Sequence, residues 1–200
     1  MARRQKIVLT RKFNSYKDKH KGEKFLICGL GPSIKDLDLN NYKDHIKIGV
    51  NDIEKYLLPD YIVIVDKLLR FSSERQEYII NGKCNNIFTQ LNNFSDPYAV
   101  FNNDRLILTD LKNIAIENKL PNNSILFSNN STFVACDLAR FMGANEIKIV
   151  GMDFIDHKNL NTKSSLDKIK RDFKTLEKFY KKKNIKISNI SHNDIINFAN

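Results

Sequence analysis

The sequence predicts an α/β protein with a doubly wound, mainly parallel sheet in a single domain. Three observations carry that expectation. Short apolar runs alternate with segments of helical spacing, several of those runs stop abruptly at Gly, Asn or Asp, and a length of 200 residues suits one domain. A hydrophobic fraction of 42% is enough to fill a core without disulfides or metals.

The elements follow in order. KFLICG at 24–29 is an apolar run ending in glycine; Gly31, Pro32 and Ser33 come next, then helical spacing in Ile34, Leu37 and Leu39. This reads as strand, tight loop and short helix. Two further buried strands are predicted at 46–50 (IKIGV), ending at Asn51 and Asp52, and at 61–65 (YIVIV), ending at Asp66. Between 68 and 120 strands are expected at 86–90 and 105–109, on either side of an Asn-rich stretch that contains Pro97. Another strand at 124–128 leads into Asn129, Asn130 and Ser131, which can cap a helix over 132–142 that Gly143 stops. Strand 146–150 (EIKIV) ends at Gly151-Met152-Asp153-Phe154, and a polar loop over 155–165 precedes a basic helix at 166–183. In that helix Ile169, Phe173, Leu176, Phe179 and Tyr180 recur at spacings of three and four, so one face packs and the lysines stay wet. Strand 185–190 closes the domain.

Charge narrows the partners. The formal net charge is +10, concentrated in the first 24 residues and between Lys158 and Lys186, which points to an anionic partner: a phosphorylated small molecule, a membrane surface or nucleic acid. Nucleic acid ranks last, because zinc-finger spacing, an RNA-binding aromatic signature and a helix-turn-helix pattern are all missing. Residues 1–22 read as a basic N-terminal arm and 23–200 as the folded domain. Cys28, Cys84 and Cys136 are odd in number, and two stand in apolar runs, so they are expected to be reduced and buried. Together with the lack of a signal-length or membrane-length apolar run, this predicts a cytoplasmic protein that can attach to the inner membrane face through its basic residues.

Ligands of doubly wound sheets bind beyond the carboxyl ends of the strands, so the polar residues there are the site candidates. Gly29, Gly31, Pro32 and Ser33 form a loop in which paired glycines would let backbone approach a phosphate at a helix N-terminus; an ordinary tight turn is the competing explanation. The third glycine of a dinucleotide fingerprint is absent, Ile34 standing in its place. Asn51 and Asp52 could read a base or ribose, or cap a helix. Asp66 and Asp153 end apolar strands and should emerge at one edge of the sheet, where they could share a magnesium ion or serve as loop anchors. His157, in the loop after Asp153, is the best-placed general acid or base, with His192 second. Zinc-site spacings are absent.

Taken together, Gly29-Leu30-Gly31-Pro32-Ser33, Pro59-Asp60 with the apolar run to Asp66, and Ser131-Thr132 leading through Gly143-Ala144 to Ile149-Val150-Gly151-Met152-Asp153-Phe154 resemble the 6-hydroxymethylpterin pyrophosphokinase-like family, which includes bacterial motility accessory factors. They are similar also to the small bacterial sialyltransferases that use CMP-sialic acid. The resemblance implies a Rossmann-like domain in which Gly29, Gly31, Ser33, Asn51, Ser131 and Thr132 line a nucleotide. It implies a transferase using a nucleotide-activated donor and a glycan or small-molecule acceptor, with His157 as base and Asp153 beside it. The alternative it leaves is a magnesium-dependent diphosphotransferase using ATP, with metal at Asp66 and Asp153; the basic N-terminal arm favours a third reading, a non-catalytic nucleotide- or nucleic-acid-binding module.

Overall fold

The computed structural model describes residues 13–90, 105–109, 111–113, 119–154, 163–192 and 196–198. Nine strands are present among them: β1 (Lys24–Cys28), β2 (His45–Val50), β3 (Tyr61–Ile64), β4 (Ile87–Thr89), β5 (Leu106–Leu108), β6 (Leu111–Asn113), β7 (Ile125–Phe127), β8 (Glu146–Val150) and β9 (Lys186–Asn189). Seven form one sheet in the order β5-β4-β3-β2-β1-β8-β9, and every neighbouring pair is parallel. The apolar runs of the sequence become these strands because a parallel strand covered on both faces has no solvent side to mark with polar residues. β6 and β7 pair separately, also in parallel; β6 is too short and too polar to stand out in the sequence.

Successive side chains point to opposite faces, so each strand feeds two cores. On one face Phe25, Ile27, Ile48, Val63 and Ile149 pack against helices α2 (Ser131–Phe141) and α3 (Lys163–Lys181). On the other, Leu26, Cys28, Ile62, Ile64 and Val150 pack against Ile79 of helix α1 (Ser73–Asn81) and against short 3-10 turns. The structure is thus α/β, a seven-stranded parallel sheet flanked by helices.

Helix α2 begins where its cap predicts. Asn130 Oδ1 accepts the Phe133 N–H at 2.9 Å, and Gly143, at φ +97°, takes the left-handed conformation that ends the helix. Its position is fixed by buried Asp137, whose carboxylate accepts from Leu126 N–H of β7, from Arg140 Nε and from the Tyr180 hydroxyl of α3. On α3 the residues Ile169, Phe173, Leu176 and Tyr180 are buried, as the spacing requires, and Phe179 is partly covered.

Two expectations need correction. The helix after Ser33 is only a 3-10 turn, Pro32–Ile34, followed by a second turn at Leu39–Tyr42. The basic arm also does not extend to residue 22: Phe13 is completely buried and stacks on Phe141 with ring centroids 4.5 Å apart, and Tyr16 packs edge-on to Phe88. The following turns are tied to the end of α2, His20 N–H donating to Met142 O and Gly22 N–H to Gly143 O, both at 2.8 Å. Apolar side chains three residues apart outweigh the lysines that follow them, Lys17, Lys19 and Lys21, which lie exposed at the surface. Residues 1–12 lie outside the described residues. Cys28, Cys84 and Cys136 are free and buried, and burial pushes the Cys28 thiol up to about 12. Among the described residues no helix is long and apolar enough to cross a membrane.

Candidate functional site

The strand order reverses at β1, from which the chain winds outward through β2 to β5 and then returns to β8 on the other side. Beyond the carboxyl ends of these strands lies a cleft of about 820 Å³. Its walls come from separate parts of the chain: Leu30, Gly31 and Pro32 after β1, Asn51 after β2, Asp66, Arg70, Phe71 and Arg75 after β3, and Gly151, Met152 and Phe154 after β8. Ser128 to Thr132, at the start of α2, and Ser165, Lys168 and Ile169 of α3 complete it. The place is where a parallel α/β sheet of this order leaves a crevice.

The loops after β1 and β8 continue the strand pairing, Gly29 N–H donating to Val150 O and Gly31 N–H to Gly151 O, each at 2.8 Å. Glycine is needed here for a reason other than phosphate approach. A Cβ on Gly29 would collide with the Gly151 carbonyl, and one on Gly31 would strike Asp153 Oδ2 and Gly151 O. Gly151 itself sits at φ +72°. The space a side chain would take at both glycines is therefore filled by the protein itself, while Gly31 still lines the cleft.

Ser33 and Asp153 lock this crossing. Asp153 is fully buried; its Oδ2 accepts the Ser33 N–H at 2.9 Å and the Ser33 hydroxyl at 2.8 Å, and its Oδ1 accepts the His192 N–H at 3.1 Å. Ser33 Oγ in turn accepts the Gly151 N–H at 3.0 Å. Neither residue lines the cleft. Asp66 does line it, half-exposed and paired with Arg70 Nη1 at 3.2 Å. Asp153 has protein donors on both oxygens, and among the described residues no group of three or more His, Cys, Asp or Glu side chains could hold a metal ion. Asp66 and Asp153 thus do not fit a shared magnesium ion.

Asn51 lines the cleft with its backbone in the left-handed region, φ +53°. Its side-chain Oδ1 is buried without a hydrogen-bond partner among the described residues, an unmet acceptor at the cleft wall. Asp52, buried beneath, neither caps the following turn nor reaches the cleft. Its Oδ1 accepts from Arg75 Nε at 2.8 Å and Nη2 at 2.5 Å, while Lys55 Nζ lies 3.0 Å from Oδ2 as an ion pair without hydrogen-bond geometry. Burial works to raise the Asp52 pKa, but the hydrogen bonds from Arg75 and the ion pair with Lys55 outweigh it and hold the carboxyl below its ordinary range.

At the opposite wall Lys168 Nζ and the Ser128 hydroxyl both donate to Asp172 Oδ2, at 3.0 and 2.5 Å. Ser131 and Thr132 stand in the first turn of α2, whose dipole adds positive character to the cleft. His157 lies outside the described residues. His192 is exposed, 3.4 Å from Asp36 Oδ2, and does not line the cleft.

Of the sequence candidates, then, Gly31, Pro32, Asn51, Asp66, Ser131 and Thr132 share one cleft, and Gly29, Ser33, Asp52 and Asp153 brace it from behind. Sequence reasoning missed Arg70, Phe71, Arg75 and Lys168. Following the loop after β3 beyond its first carboxylate would have found the two arginines. Compared with protein-family models, curated proteins and solved structures, the chain matches none.

Proposed function

We propose that the chain is a transferase that binds a nucleotide-activated donor in this cleft, a glycosyltransferase of surface-glycan synthesis, on a doubly wound Rossmann-like sheet forming a single domain. The observation that carries the reading is the coincidence, at the reversal point of the strand order, of the first turn of α2, two arginines and the unmet Asn51 acceptor in one cleft. A nucleotide has what such a cleft lacks: phosphate oxygens for the cations and hydroxyl or amino donors for Asn51. Leu30, Val50, Met152, Phe154 and Ile169 supply apolar wall for the remainder of the ligand. In this reading the acceptor is a glycan or small molecule, His157 is the base that takes the acceptor proton, and the protein works at the cytoplasmic membrane face. Exposed Lys174, Lys178 and Lys181, at helical spacing along α3, support contact with that anionic surface. Diphosphate transfer from ATP is less well supported, since it needs magnesium-binding carboxylates and Asp153 is committed to Ser33 and His192.

A thermal-shift screen with CMP, CDP, UDP, GDP and ATP, each with magnesium and with chelator, tests the reading. A ligand at about a hundred times its Kd should stabilise the fold by about 2.7 kcal/mol. A clear shift with one nucleotide in chelator supports the donor site. No shift with any of them overturns it, and a shift only with ATP and magnesium favours diphosphate transfer.

A further inference from the structure

Arg75 is held from two sides and open on a third. Asp52, 1% exposed, takes two of its N–H groups, and the guanidinium carbon lies 4.7 Å from the centroid of the Phe71 ring. The side chain still keeps 37% of its surface exposed and lines the cleft, and Nη1 has no acceptor among the described residues. A structural ion pair would need neither the exposure nor the cleft. Arg70 stands on the same wall, with one nitrogen on Asp66 and 71% of its side chain exposed. Arg70 and Arg75 on this wall, with Lys55 behind it, outnumber Asp66 on the wall and Asp52 behind it by one positive charge, whereas Lys168 is balanced by Asp172. A guanidinium whose rotamer is already fixed gives up little freedom on binding, and its planar fork matches two oxygens of a phosphate.

We propose that Arg75, oriented by Asp52 and Phe71, is the phosphate-binding residue of the cleft, with Arg70 as second donor. The phosphoryl charge of the ligand is then met by guanidinium groups without a divalent ion. This deepens the donor-site reading and rests on it for the identity of the ligand, but the anion subsite itself can be tested separately.

Inorganic pyrophosphate is the probe, titrated calorimetrically in chelator into wild type, Arg75→Gln, Arg75→Lys and Arg171→Gln, the last removing an exposed α3 cation outside the cleft. Loss of charge-assisted hydrogen bonds should weaken binding about tenfold or more in Arg75→Gln. Arg75→Lys should weaken it measurably too, because an ammonium lacks the fork, and Arg171→Gln should leave it unchanged. The proposal is overturned by a wild type that binds pyrophosphate only with magnesium or not at all. It is equally overturned by unchanged affinity in Arg75→Gln, or by an equal loss in Arg171→Gln. If Arg75→Gln does not fold, Arg75→Lys decides, and wild-type affinity there sinks the idea. Nucleotide binding indifferent to Arg75 would remove this proposal and leave the donor reading intact. Pyrophosphate binding through Arg75 with no nucleotide shift would do the reverse.

Discussion

Asp153 Oδ2 accepts two hydrogen bonds from one residue, the backbone N–H and the hydroxyl of Ser33, across a sequence separation of 120 residues. A carboxylate used in this way ties the turn after β1 to the turn after β8, and the third bond, from His192, brings in the chain beyond β9. Asp153→Asn keeps the shape but removes the charge, and its amide nitrogen would face donors. We expect a loss of about 3 kcal/mol or more, since bonds to a charged acceptor are worth about 1.5–3 kcal/mol each. The check is a melting curve paired with nucleotide affinity of the folded fraction. Undiminished stability with lost affinity would return Asp153 to the site.

Gly29→Ala is expected to destabilise the protein without touching the cleft. The added methyl would meet the Gly151 carbonyl, which is backbone and cannot rotate away. Overpacking of this kind costs about 1–3 kcal/mol. Chemical denaturation should show a lowered midpoint with an unchanged slope; a midpoint equal to wild type would mean that β1 and β8 can separate freely at this end.

Phe13→Ala removes a buried ring stacked on Phe141 and should cost about 3–5 kcal/mol, the range for truncating a core aromatic. Deleting residues 1–20 should cost at least as much, because Tyr16 and the hydrogen bond from His20 to Met142 go with it. Soluble expression and melting temperature of the two variants measure this. Wild-type stability in the deletion would make residues 13–20 a dispensable arm after all.

His20 provides the pH dependence. Burial, and then the Lys19 ammonium, lower its pKa below the ordinary value of 6.5, and it shares a 2.6 Å hydrogen bond with the Tyr61 hydroxyl. Because the unfolded chain then binds the proton more readily, the stabilisation is complete above the ordinary value and declines as pH falls below it. His20→Gln should flatten that decline below about pH 6.5 relative to wild type. Equal slopes in the two proteins would show that other groups carry the acid response.

The parallel strands were legible because a strand buried on both faces is spelled as an apolar run, unbroken in YIVIV; EIKIV carries the half-buried Glu146 and Lys148 yet is marked by its isoleucines, its valine and the glycine that follows. The same holds for Asn130 and Gly143, whose roles at the ends of α2 are set by neighbours within a few residues. What sequence reading misses depends on distant partners. Gly29 and Gly31 look like a phosphate loop until Gly151 and Asp153 are seen to occupy the space beside them. Asp52 looks like a ligand-facing carboxylate until Arg75, 23 positions on, takes its oxygen. Phe13 and Tyr16 were hidden by the lysines around them, although their spacing of three was a readable sign of a packed turn.

The placing of β8 beside β1 governs when the cleft can come into being. The sheet can grow from β1 to β5 by pairing consecutive strands, but the wall formed by Gly151, Met152 and Phe154 must wait for a segment made long afterwards. Contacts of such long sequence separation close slowly, because loop entropy must be overcome before any bond rewards it. A nascent chain halted before β8 would hold β1 with one edge bare and Ser33 without its carboxylate. The cleft is therefore one of the last features of the fold to form, closing only once β8 has paired with β1.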